Sequence, residues 1–181
     1  LAGLNATLAG NISGNAQFQK LDGVPYIFAD LGVDTLVFND QMLGTTRLNA
    51  DWDDTRGAIN ITLSSGTEDS KILDAKGAFS PNSKKLDFDI LMNDIKLQAF
   101  NPYAEKGLKD LSGEVDVNLS LDGTLDKPEL NGTLNLDQGE ATISFLNTHY
   151  IFNDQARIYH NNLYLEDFVA LDELGNRALI S

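Results

Sequence analysis

Residues 114–121 read EVDVNLSL, so polar and apolar side chains alternate at every position of this stretch. Successive side chains of a β-strand point to opposite faces, and the pattern therefore predicts a strand with one apolar and one polar face. The same alternation recurs at residues 59–63, 86–93 and 130–136. Antiparallel sheets with one solvated face show it, whereas buried parallel strands read as continuous apolar runs. We therefore predict an all-β, mainly antiparallel fold.

Short polar segments separate these strands and supply residues suited to turns. Hairpin turns are expected at residues 81–83, 122–123 and 138–139, because glycine adopts positive φ freely and Asp or Asn tolerates it. Residues 97–107 break the alternation. They predict a short helical connection that ends at Gly107.

Charge and composition exclude several functional classes. Lys and Arg number 13 against 27 Asp and Glu, which gives a formal net charge of −14. Binding to nucleic acid or to an anionic membrane surface needs a basic patch, so neither partner is expected. Cysteine is absent, which argues against disulfides, cysteine-based zinc sites and thiol catalysis. Histidine occurs only twice, so a histidine-rich metal site is not expected either. We expect a protein without catalytic residues, metal or cofactor.

A sheet with one apolar face must cover that face, and two coverings remain open. A second sheet from the same chain would give a β-sandwich. Alternatively, the sheet curls and its apolar side lines a groove for acyl chains. Periodicity alone favours the sandwich.

The chain from Leu111 onward carries an ordered set of motifs. They are Leu111-x-Gly113, the alternating strand that ends at Leu121, Gly123-Thr124, Pro128-x-Leu130-x-Gly132-x-Leu134-x-Leu136, and Gly139. Together they resemble the repeat unit of TamB-type translocation and assembly modules, within the AsmA-like superfamily. Residues 146–150, Leu-Asn-Thr-His-Tyr, resemble the version found in Bacteroidetes-like bacteria. The resemblance is good over residues 108–181 and weaker before them.

The resemblance implies a fold, a location and a role. Proteins of this kind are anchored in the inner membrane of Gram-negative bacteria and cross the periplasm as an elongated curled sheet, a U-shaped β-groove or β-taco. Their continuous apolar groove is tied to phospholipid transport between inner and outer membrane and to outer-membrane protein assembly with a barrel partner of the Omp85 type. Residues 1–181 would then be a single fragment of a longer repeating β-groove protein, non-enzymatic in function.

The partners implied are phospholipid acyl chains or another amphiphile. The fragment is also expected to self-associate through open sheet edges, because unpaired strands are templates for pairing. The apolar positions of the alternating strands are the predicted groove lining: Phe88, Ile90, Val115, Val117, Leu119, Leu121, Leu130, Leu134, Leu136, Ile143 and Phe145.

Two other function classes remain as alternatives. The first is a secreted β-sandwich or β-solenoid for adhesion or glycan binding, in which the same apolar residues form a sealed core. The second is a hydrolase in which His149 or His160 pairs with Asp154 or Asp172, although no nucleophile motif accompanies them. Alternating carboxylates such as those of residues 87 and 89 suit a solvated strand face better than a calcium loop.

Overall fold

The computed structural model describes residues 7–21, 24–67, 70–104 and 107–180. Strands account for 77% of the chain and helical segments for 4%, so the predicted all-β class is confirmed. All thirteen strands belong to one antiparallel sheet. The sandwich favoured by periodicity alone is therefore not formed, because within the described residues no second sheet covers the first.

The sheet is built almost entirely from strands that follow one another along the chain. The strands are β1 (Leu8–Ala9), β2 (Ile12–Leu21), β3 (Val24–Phe38), β4 (Gln41–Asp53), β5 (Ala58–Gly66), β6 (Lys71–Ser80), β7 (Lys85–Lys96), β8 (Leu108–Thr124), β9 (Lys127–Ile143), β10 (Thr148–Tyr159), β11 (Asn162–Tyr164), β12 (Phe168–Asp172) and β13 (Arg177–Ile180). From β3 to β10 each strand pairs with the next. Strands β1 and β2 share the outer edge of β3, while β11 and β12 share that of β10 and β13 pairs with β12.

Strand register sorts the side chains onto two faces, as the alternation predicts. One row of directly paired residues is apolar from β2 to β11: Gly14, Leu31, Leu48, Leu63, Ala75, Ile90, Leu119, Gly132, Ile158 and Leu163. The adjacent row is polar from β2 to β9: Asn15, Asp30, Asn49, Thr62, Lys76, Asp89, Ser120 and Asn131. Paired side chains share a face, so the sheet has one apolar and one polar surface.

Bulges interrupt the longest strands. The register shifts in the pairing of β8 with both β7 and β9. Residues near the shifts adopt positive φ, which is 55° at Asp94 of β7 and 102° at Gly113 of β8. In β9 the shift lies at Gln138, whose φ is 47°. The sequence-based turn at residues 138–139 is therefore wrong, because β9 continues through them as a bulge. Bulges bend a strand and increase its twist, so they favour curvature here.

The turn expected at residues 122–123 is also displaced. Strand β8 continues to Thr124, and the hairpin reverses at Leu125 and Asp126. The turn at residues 81–83 is confirmed.

The sheet is curled rather than flat. Strands β4 and β7 are separated by β5 and β6, and a flat sheet would hold them roughly 14 Å apart. Nevertheless the Lys96 N–H donates a hydrogen bond to Gln41 Oε1 at 3.1 Å. Phe38, at the end of β3, lies 6.2 Å from Phe100 between ring centroids. These contacts require the ends of β3–β4 and β7 to curve toward each other.

The predicted helical connection is present as a 3₁₀ turn, Leu97–Phe100, followed by the short α-helix α1, Asn101–Ala104. It ends at Ala104 rather than at the predicted Gly107, which lies in the turn before β8. Leu97 and Ala99 are buried. The Leu111 N–H donates to Asn101 Oδ1 at 3.0 Å, and Asn101 Nδ2 donates to the Leu111 carbonyl at 3.4 Å. The connection is thus tied to the start of β8. Neither helical segment, nor any other helix in the described ranges, is long and apolar enough to span a membrane.

A core forms where the curled strands meet. Its buried members come from β4, β7, the 3₁₀ turn, β8 and β9: Leu43, Ile95, Leu97, Leu111, Val115, Val117 and Ala141. Thr46 and Ser65 are polar but buried on the same apolar side. Thr46 Oγ1 donates to Ser65 Oγ at 2.8 Å, and Ser65 Oγ donates to the Leu43 carbonyl at 2.6 Å.

Candidate functional site

An apolar cavity of about 410 Å³ lies on the inner face of β8–β13. Its lining is Leu97, Leu108, Leu111, Leu134, Leu136, Ala141, Ile143, Leu146, Tyr150, Phe152, Ala156, Leu163, Leu165, Phe168, Ala170, Ala178 and Ile180. Among these residues, Tyr150 is the one whose side chain has a polar atom. The cavity is therefore suited to an apolar ligand, because it offers no charge to pair with one.

Small side chains opposite large ones create this space. Ala141 of β9 is paired with Tyr150 of β10, and Ala156 of β10 is paired with Leu134 of β9. Ala170 belongs to β12, on the other side of β10, and all three alanines are buried. Protein interiors are normally close-packed, so several alanines lining one apolar surface leave a volume that larger side chains would fill.

Ten of the eleven residues of the predicted groove lining divide into three groups. Leu134, Leu136 and Ile143 line the cavity. Val115 and Val117 are buried in the core, and Leu119 packs against it. The remaining strand residues lie half-buried on the apolar face but do not line the cavity: Phe88, Ile90, Leu121 and Leu130.

Phe145 does not join these residues. Strand β9 ends at Ile143, and Phe145 lies in the following turn with 84% of its surface exposed. The alternating pattern of residues 141–145 continues past the end of the strand, because the turn already begins at residue 144.

Sequence reasoning missed the part of the lining that comes from β10–β13. Phe152 and Phe168, whose ring centroids lie 5.5 Å apart, belong to an aromatic-rich stretch that could have indicated packing there. Residues 168–171 read FVAL, a continuous apolar run without the alternation seen elsewhere. The alanines gave no signal, since a void depends on what lies opposite them.

Two carboxylates hold β12 in place beside the cavity. Asp154 Oδ2 accepts a hydrogen bond from the Val169 N–H at 2.9 Å, and Oδ1 accepts one from the Gln155 N–H at 2.8 Å. These backbone hydrogen bonds, that from Val169 foremost, lower the pKa of Asp154 against a small opposing effect of burial.

Asp172 organises the hairpin between β12 and β13. Its Oδ2 accepts from Asn176 Nδ2 and its Oδ1 from the Asn176 N–H, both at 2.8 Å, while the Leu174 N–H also donates to Oδ1 at 2.9 Å. The hydrogen bonds from Asn176 are the main cause of its lowered pKa. Both carboxylates therefore have structural partners in β10, β12 and the hairpin after β12.

The histidines lie next to glutamates. His160 Nδ1 is 2.8 Å from Glu129 Oε1, and His149 Nε2 is 3.7 Å from Glu140 Oε2. Across the described ranges, no group of three or more His, Asp and Glu residues is arranged to hold a metal ion.

Comparison with known proteins does not assign this chain to a family. No protein-family model, curated protein or solved structure matches this chain. Function therefore has to be inferred from the curled sheet and its cavity.

Proposed function

We propose that this chain is a non-enzymatic segment of a periplasmic TamB/AsmA-like envelope protein. Its apolar inner face shelters acyl chains of phospholipid passing between inner and outer membrane, or supports outer-membrane protein assembly with a barrel partner. The observation that carries the proposal is the apolar cavity of about 410 Å³ on the open face of β8–β13. The resemblance to TamB-type proteins is good over residues 108–181, the same part of the chain that builds most of this cavity.

Such a surface can bind an acyl chain favourably without selecting one particular ligand. Each methylene removed from water stabilises the bound state by about 0.8 kcal/mol, so an acyl chain binds favourably to any apolar surface that excludes water. The lining supplies contact without an ion pair, which allows a ligand to leave as well as enter. The volume lies within the range of roughly 300–1,000 Å³ that is usual for small-molecule sites.

The opposite surface fits a water-exposed envelope protein. The polar row faces away from the cavity, and the net charge of −14 favours solubility. An adhesion or glycan-binding module would instead need its apolar face sealed. The cavity on a single sheet supports that alternative less well.

Lipid binding by residues 1–181 purified without detergent tests the proposal. Native mass spectrometry with lipid extraction should detect bound phospholipid, or uptake of added phosphatidylethanolamine. Ala170→Phe fills the cavity and should reduce binding at least tenfold. Ala75→Phe is the matched control, because Ala75 lies on the apolar row outside the cavity lining.

Circular dichroism must show that both variants keep the sheet. A wild-type chain that carries no lipid and ignores added lipid would contradict the proposal. Equal loss of binding in both variants would also contradict it, because the cavity would then have no special role.

A further inference from the structure

Two hairpin turns at one end of the sheet project apolar side chains into solvent. Phe145 lies in the turn between β9 and β10, and Leu174 lies in the connection between β12 and β13. Among the described residues they are the most exposed large apolar side chains, at 84% and 88%. Tyr150 of β10 is paired with Asp172 of β12, so the two turns lie side by side at the same end of the sheet.

Hydrogen bonds hold the backbone of both turns. In the first turn, the Ser144 N–H donates to the Gly107 carbonyl at 2.9 Å. In the second, the Leu174 N–H donates to Asp172 Oδ1 at 2.9 Å. The apolar side chains therefore project from fixed positions. Exposed apolar groups that cluster in this way mark surfaces that contact a protein or a membrane.

The apolar cavity reaches the surface at the first of these turns. Leu108 and Leu146 line the cavity and are also 37% and 51% exposed. Leu146 follows Phe145 in the same turn, and Leu108 is paired with Ile143 at the end of β9. We group Leu108, Phe145, Leu146 and Leu174 as the hairpin patch. Two of its four members thus belong to the cavity as well.

The surroundings of the hairpin patch are acidic. A polar cavity that both turns line contains the carboxylates of Asp110, Asp172 and Glu173 and the ring of His149, and none of its described lining residues is Lys or Arg. Adsorption to an anionic bilayer depends on basic residues near the surface. A bilayer that contacts this patch is therefore expected to be zwitterionic and held by apolar contact.

Two features favour a bilayer over a protein as the partner. Leu108 and Leu146 belong to both the patch and the cavity, so a protein seated there would cover the place where an acyl chain can enter. Phe145 and Leu174 project from separate turns, and a fluid bilayer accommodates separate projections without a matching shape. Phe and Leu are also residues by which amphipathic surfaces insert into the interfacial region of a membrane.

From these features we infer that the hairpin patch docks the cavity on a zwitterionic lipid bilayer. Phe145 and Leu174 insert among the lipids, while Leu108 and Leu146 give an acyl chain an apolar path between the bilayer and the cavity. The inference rests on the proposed function and deepens it, because it adds the surface at which the cavity exchanges its ligand.

Cosedimentation of residues 1–181 with sucrose-loaded phosphatidylcholine vesicles tests the inference. The wild type should bind, and Phe145→Ser and Leu174→Ser should each lower the partition coefficient about tenfold, because each removes one large apolar side chain from the contact. The double variant should lower it about a hundredfold. Adding phosphatidylglycerol at low salt should weaken binding, because the acidic surroundings repel an anionic surface.

Leu125→Ser is the matched control. Leu125 is also an exposed apolar residue in a hairpin turn, but its turn precedes β9 whereas that of Phe145 follows it. The 17 residues of β9 place the two turns about 50 Å apart. Leu125→Ser should therefore leave vesicle binding unchanged. Circular dichroism must show that all the variants keep the sheet.

A second measurement separates docking from the cavity. Native mass spectrometry with lysophosphatidylcholine, added below its micellar concentration, should show that the double variant still binds this soluble lipid, because its cavity is intact. Ala170→Phe should show the reverse, namely vesicle binding with little binding of the soluble lipid.

The outcomes distinguish this inference from the proposed function. A wild type that binds the soluble lipid but not the vesicles would overturn the docking surface alone. Stronger binding to vesicles rich in phosphatidylglycerol, or an equal loss in Leu125→Ser, would also overturn it. Sedimentation velocity that shows lost self-association in the double variant, with vesicle binding unchanged, would assign the patch to a second copy instead. A wild type that binds neither the soluble lipid nor phospholipid would overturn the proposed function itself.

Discussion

The ring of Phe152 lies over Gly139, its directly paired neighbour across β9 and β10. A Cβ atom at Gly139 would overlap Phe152 Cε2, so the absence of a side chain here is what allows the ring to lie against the sheet. Phe152 in turn packs against Phe168 and lines the cavity. The pair thus couples backbone packing in β9 to the shape of the apolar cavity.

Gly139→Ala should destabilise the protein by about 1–3 kcal/mol, because overpacking displaces a well-ordered side chain. Urea denaturation followed by circular dichroism measures the change in free energy of unfolding. Gly32→Ala is the control, since the nearest atom to its new Cβ would be Ser13 Oγ at 3.7 Å. Equal midpoints for the two variants would show that the Phe152 ring moves aside freely.

The buried hydroxyl pair in β4 and β5 gives an asymmetric prediction. Ser65→Ala should destabilise by about 1–3 kcal/mol, because Thr46 Oγ1 and the Leu43 carbonyl would both lose their Ser65 partner. Thr46→Val should have a smaller effect, since Ser65 can still donate to Leu43. The double variant should lose less than the sum of the two single changes. Additive losses in urea denaturation would argue against a coupled pair.

Stability should depend on the charge of Asp154. Its folded-state pKa is lowered by the hydrogen bonds from Val169 and Gln155. The carboxylate therefore contributes stability above its unfolded-state pKa of about 4, and that contribution is lost as the pH falls through the lower folded-state pKa. Asp154→Asn should be less stable than wild type at pH 7, and the difference should shrink toward pH 3.

Thermal unfolding at a series of pH values measures this difference. Asp89→Asn, on the exposed polar row, is the matched control for removing one carboxylate. A difference for Asp154→Asn that stays constant from pH 7 to pH 3 would mean that the charge has no part in holding β12.

Open edges should make residues 1–181 associate. Phe18 of β2 and Leu179 of β13 are exposed apolar residues on edge strands. Sedimentation velocity should show a mass that increases with concentration, and Phe18→Lys with Leu179→Lys should reduce it, because charge blocks edge pairing. Leu174→Lys changes an exposed residue in a turn and should have no effect. Monomers at all concentrations in the wild type would contradict edge pairing.

The local pattern predicted the strands well and the interruptions less well. Alternation identifies β7, β8 and β9, because a half-solvated strand imposes its period on the sequence. It cannot separate a hairpin turn from a bulge, since both use residues that tolerate positive φ. Gln138 and Gly139 therefore read as a turn although they lie within β9.

The candidate site was only partly predictable for a different reason. Leu134, Leu136 and Ile143 belong to the alternating pattern, so sequence reasoning finds them. Ala156 and Ala170 line the same cavity because of what lies opposite them. Such a void is a property of packing between distant strands, which a single sequence does not display.

The hydrogen bond between Gln41 and Lys96 joins residues 55 positions apart. An antiparallel meander alone resembles a repeat array, in which each unit touches its neighbours and stability propagates step by step. Here the contact across β5 and β6, with the core beneath it, ties the first half of the chain to the second. The chain should therefore unfold in one cooperative step, and a cut between β6 and β7 would leave two pieces that each lack part of a shared core.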